Sequence, residues 1–174
     1  DNTLTGNEAY QNSREGFALW LSDRNSILNS DMEYNDFAIE TDTCSDLLIQ
    51  NNNILACFLE GVVLYYSNGV IFDSNTVDAA PSGVMAQDCI NLQITNNLFT
   101  ETMAGTFYSA AVLFDVSLCT ISGNLIENHQ SYALFLAGSD TGCAAVTITQ
   151  NTIIGGNGGI RLQDASGGVQ IFDN

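Results

Sequence analysis

Apolar residues recur in this chain in short alternating runs, and the runs themselves recur at a fixed offset from an asparagine. The pattern is apolar, any, apolar, any, any, Asn, any, apolar. It reads Leu47-x-Ile49-x-x-Asn52-x-Ile54, Val70-x-Phe72-x-x-Asn75-x-Val77 and Leu92-x-Ile94-x-x-Asn97-x-Phe99. Two further copies are Cys119-x-Ile121-x-x-Asn124-x-Ile126 and Val146-x-Ile148-x-x-Asn151-x-Ile153, and a weaker one with Leu28 and Asp31 precedes them all. A second alternating run follows each copy: Leu19-x-Leu21, Phe37-x-Ile39, Val62-x-Leu64, Val84-x-Ala86, Val112-x-Phe114, Leu134-x-Leu136 and Ile160-x-Leu162. Alternation predicts strands with one buried face. Successive copies lie 22 to 27 residues apart, too close for a full helical crossover at every step. Such strands bury their apolar faces only by stacking on the next copy. The predicted fold is all-β, one parallel β-helix of about seven coils spanning residues 1–174.

The asparagines have a physical reason for their offset. At a corner Asn tolerates left-handed backbone angles, and its side chain bonds neighbouring backbone groups. Stacked coil upon coil, Asn52, Asn75, Asn97, Asn124 and Asn151 are expected to form a hydrogen-bonded amide ladder. With this repeat the chain resembles the right-handed parallel β-helix family, the superfamily of pectate lyases, polygalacturonases and phage tailspikes. The resemblance implies a right-handed solenoid and polysaccharide as the substrate class. It carries over no catalytic residue. Lyases of that group depend on Arg or Lys as base and as uronate clamps, and this chain has only Arg14, Arg24 and Arg161. The polygalacturonase Asn-Thr-Asp, Asp pair, Gly-His-Gly and Arg-Ile-Lys stretches are absent. The lone His129 is read as part of a solvated turn.

The two runs of each repeat differ in their outward positions. The first is polar, with Gln50, Asp73, Thr95, Thr120, Ser122, Thr147 and Thr149 facing out. Mid-positions of the second run are Trp20, Ala38, Val63, Met85, Leu113, Phe135 and Arg161, an apolar stripe longer than soluble monomers usually leave bare. A covering loop, a lateral interface or a glycan platform accounts for it. Trp20, Tyr65 and Phe135 supply rings for sugar stacking in the last case. The chain starts and stops within a repeat, which predicts either a segment of a longer solenoid or a subunit stacking head to tail.

Charge narrows the partners. Twenty acidic residues against three basic ones give a net charge of −17, which repels nucleic acid and anionic membranes. No apolar run approaches a membrane span. Five cysteines, Cys44, Cys57, Cys89, Cys119 and Cys143, include no C-x-x-C pair, and Cys44, Cys89 and Cys143 fall in alternate coils, about 10 Å apart and too far to bridge. No cofactor is expected, with Ca²⁺ on Asp23, Glu40, Asp42, Asp88, Asp115 and Asp164 as the one candidate. The expectation is an extracellular or cell-surface β-helix, structural or adhesive and non-catalytic. Its partners are itself, flanking chain or a polysaccharide. The alternative is a carbohydrate-binding or polysaccharide-degrading β-helix with its catalytic parts elsewhere.

Overall fold

A computed structural model describes residues 1–102, 108–138, 142–165 and 167–174. Among them there is no helix, and the strands form three parallel sheets of eight, seven and seven strands. Each coil contributes one strand to each sheet. For one coil these are Leu48–Gln50, Asn53–Leu55 and Glu60–Tyr65, which stack on Ile71–Asp73, Thr76–Asp78 and Ser82–Gln87 of the next. The result is a β-solenoid of about seven turns with no crossover in strand order. Its core is a column of inward side chains, including Ile27, Ile49, Phe72, Ile94, Ile121 and Ile148 on the first sheet, all fully buried.

Corners are made by residues in the left-handed backbone region, four in a coil: Asn51, Ala56, Tyr66 and Gly69 in one, Asn96, Glu101, Asp115 and Leu118 in another. Left-handed geometry costs a non-glycine residue about 1 kcal/mol. Each corner N–H continues the ladder by donating to a carbonyl of the next coil, as Asn51 does to Asp73 and Tyr66 to Gln87. After the first sheet the corner is reinforced by the buried asparagines. The Oδ1 of Asn75 accepts from the backbone N–H of Asn52 at 2.9 Å and from its Nδ2 at 3.0 Å, while Asn75 donates back to the Ile49 carbonyl at 3.0 Å. The same three bonds repeat through Asn97, Asn124 and Asn151. Each amide therefore clamps three coils.

Three details differ from the sequence reading. A coil holds three strands, because the Asn-x-apolar segment is a short strand of its own rather than the tail of the first. The early repeat is offset by one, so Ile27 points inward and Ser30 occupies the ladder position, receiving Asn7 N–H and donating its own N–H to Asn52 Oδ1. On the third sheet the inward pairs are Phe17 with Leu19, Ile39 with Thr41 and Ala111 with Leu113. The first two pairs sit two residues from the expected ones, whereas Ala111 with Leu113 is a one-residue slip, which turns a strand over.

Candidate functional site

The outward face of the third sheet is rich in apolar and ionisable groups. Register places its outward residues in rows along the solenoid. The mid-strand row is Ala18, Glu40, Val63, Met85, Val112, Phe135 and Arg161. Of the stripe expected there, Val63, Met85, Phe135 and Arg161 hold their places. Ala38 and Leu113 instead lie in the core, fully buried, and Trp20 stands one row further along the strand. Nor is the row bare. Val112, Phe135 and Ala137 form a second small cluster with Met85 and Phe114, and Phe135 is only 1% exposed. Phe114 and Phe135 meet edge to face at 6.0 Å. The Arg161 guanidinium sits 5.2 Å from both the Tyr132 and Phe135 ring centroids, a cation–π clamp, and donates to Gln163 Oε1 at 2.9 Å.

The neighbouring row, nearest the strand ends, is Trp20, Asp42, Tyr65, Gln87, Phe114, Ala137 and Gln163. Trp20 is 59% exposed and Tyr65 half-buried. A groove of about 410 Å³ runs over the later coils here, lined by Gln87, Phe114, Asp115, Phe135, Ala137, Gly138 and Gln163.

Toward the first coils the face is acidic. Burial raises the Glu40 carboxyl, and its hydrogen bond to Glu15 raises it further. Burial acts in the same sense on Glu15, but the hydrogen bond from Glu40 and the charge of Arg14 overcome it and hold Glu15 below the usual range. Arg14 Nη2 lies 3.1 Å from Glu15. Glu60 is raised by burial alone. Neither Glu15 nor Phe114 was marked as a candidate by sequence, since each became adjacent to its neighbours only through strand register.

Other candidate chemistry is tied up in the corners. All five thiols are free and buried. The Sγ atoms of Cys44, Cys89 and Cys143 donate to the carbonyls of Leu19, Leu64 and Leu113 one coil back, at 3.2, 3.5 and 3.7 Å. Burial pushes Cys57 up to about 12 and Cys89 up to about 11. His129 is not in a solvated turn. It is 3% exposed, in the corner row of Asn35, Cys57 and Thr102, with its Nε2 bonded to the Gly158 carbonyl at 2.7 Å. Its ring fills the space over Gly156, where a Cβ would collide with it. Of the six acidic residues considered for Ca²⁺, Glu40 and Asp42 share one strand, Asp88 and Asp115 stack in one corner row, and Asp23 and Asp164 lie toward opposite ends of the solenoid. Among the described residues no three His, Cys, Asp or Glu side chains converge as metal ligands.

A model of the protein family described as "Periplasmic copper-binding protein (NosD)" matches residues 1–141. Comparison with curated proteins gives no match. Among solved structures, the chain is similar to the catalytic domain of a GH87 alpha-1,3-glucanase in complex with nigerose, at 12% identity and a TM-score of 0.51, over 94% of this chain and 47% of that one. It is also similar to the A-module of the Azotobacter vinelandii mannuronan C-5 epimerase AlgE4, at 11% identity and a TM-score of 0.45, over 99% and 56% of the two chains. This chain thus spans about half the length of those structures, and at such identity the likeness to the glucanase is one of fold.

Proposed function

The chain belongs to the NosD family of right-handed β-helix proteins, and from that premise we propose that it is a non-catalytic binding module, working in the periplasm or outside the cell, whose third sheet holds a glycan. The observation that carries the reading is the groove on the outer row of that sheet, where the partly exposed Phe114, packed on the buried Phe135, is rimmed by Gln87, Asp115 and Gln163. Aromatic edges and faces take the C–H surface of a pyranose, while amides and a carboxylate bond its hydroxyls; a mostly apolar hollow with a few placed polar groups is the usual form of a ligand site. The carboxylates on the same face argue against hydrolysis. Acid and base in a glycosidase stand about 5 Å or more apart to admit the scissile bond, whereas Glu15 and Glu40 are bonded directly to each other.

Copper, named in the family's description, fits the described side chains poorly. Cuprous ion favours thiolate, thioether and imidazole ligands. Here the thiols are buried in separate coils and held in the thiol form by burial, Met32 is fully buried, Met85 lies between Val63 and Val112 on its row, and His129 is engaged with a backbone carbonyl.

Affinity electrophoresis through gels of neutral and acidic polysaccharides, with assays for released sugar, tests the proposal. Retardation without product is the expected result, weakened by Gln87→Ala and by Gln163→Ala. Free mobility in every gel, or product formation lost on Glu40→Gln, would overturn it.

A further inference from the structure

We infer that the outer row of the third sheet is a track for an extended, uncharged glycan lying along the solenoid axis, with Trp20, Tyr65 and Phe114 as its platforms. The inference rests on the glycan reading above and gives it a direction and a substrate class. In register these three rings alternate with hydrogen-bonding residues: Trp20, Asp42, Tyr65, Gln87, Phe114, one from each of five successive coils. Adjacent parallel strands are about 4.8 Å apart, so the rings recur every ~10 Å. That is close to the advance of two residues in an extended 1,4-linked pyranose chain, so alternate sugars would stack on rings while those between them meet Asp42 and Gln87. No ordinary demand of folding puts rings at every second coil of an outward row. Trp20 in particular gains little from burial, being 59% exposed.

Charge sets the class of glycan. Asp42 lies within the track, Glu40 on the adjoining row and Asp115 in the groove wall. The chain has no lysine, and its three arginines are committed: Arg14 to Glu15, Arg24 to Asp1, and Arg161 to two rings and Gln163. Nothing here neutralises a uronate or sulfate, and like charges in register repel it.

Titration calorimetry with dimers, tetramers and hexamers of 1,4-linked glucose, mannose and xylose, and with hexagalacturonate, tests the track. At least one neutral hexamer is expected to bind, with affinity rising about tenfold or more from dimer to hexamer. Trp20→Ala, Tyr65→Leu and Phe114→Leu should each weaken it about fivefold to tenfold, the scale of one lost ring contact. Circular dichroism verifies that the variants fold, and the exposed Trp20 gives a readout independent of the core. The track is overturned, with glycan binding intact, if affinity is flat with length, if the three variants bind as tightly as the parent, or if hexagalacturonate binds equally well. If no glycan binds at all, both readings fall.

Discussion

At the scale of single residues, the corner amides carry more than their size suggests. Asn97 Oδ1 accepts the N–H and Nδ2 of Asn75, and its own Nδ2 reaches the Phe72 carbonyl. Asn97→Ala strands two buried donors and one acceptor. Each unsatisfied buried group costs about 1–3 kcal/mol, so a loss of about 3–5 kcal/mol is expected in urea unfolding, against little for Asn91→Ala at an exposed corner. Asp73 gives a pH signature. Burial alone would raise it, but bonds from Gln50, Thr95, Asn96 and Ser74, at 2.7–2.9 Å, bring it down to about 2. A depressed carboxyl stabilises the fold above its unfolded value near 4 and loses that contribution as pH falls toward 2. Urea midpoints should therefore drop between pH 4 and 2, and the drop should be shallower in Asp73→Asn.

At the scale of elements, the sheets differ in what holds them. Strands of the first and second sheets are three or four residues long, and outside they mix polar residues with Leu48, Ile71, Leu98 and Leu125, so their register rests on the inward column and the corner ladders. Third-sheet strands run six residues and pack on both faces, Ser109–Phe114 being buried at five of six positions. They also bend close to the second sheet. A Cβ on Gly83 would lie 2.5 Å from both the Ala110 carbonyl and the Phe99 ring. Gly83→Ala should cost about 1–3 kcal/mol by overpacking, measured as a lower thermal midpoint, and Phe99→Leu in the same chain should recover part of it. A close approach, not a special backbone angle, is what selects glycine there.

At the scale of the whole molecule, a net charge of −17 is distributed over a rod of stacked coils. Like charges repeat at every coil, and self-repulsion opposes compaction. Raising NaCl from about 10 mM to 150 mM shortens the Debye length from about 30 to 8 Å, so the thermal midpoint should rise over that range; an unchanged or falling midpoint would show that the repulsion is already met by local hydrogen bonds. The same field opposes approach of anionic ligands, in keeping with the uncharged glycan proposed above.

The repeat, the all-β class and the place of the asparagines follow from sequence alone. An inward apolar pair next to a polar outward position specifies register locally, and the Asn offset marks each coil without reference to its neighbours. The third sheet was different. Leu113 and Val112 are equally acceptable to either side of a strand that is apolar on both, so alternation carries no parity signal there. Only stacking on the neighbouring coils decided that Leu113 turns in, that Trp20 joins Tyr65 and Phe114, and that Glu15 meets Glu40. His129 was hidden for a related reason. Its burial depends on the missing side chain of Gly156, 27 residues on, and a vacancy in the next coil leaves no mark beside the residue that fills it.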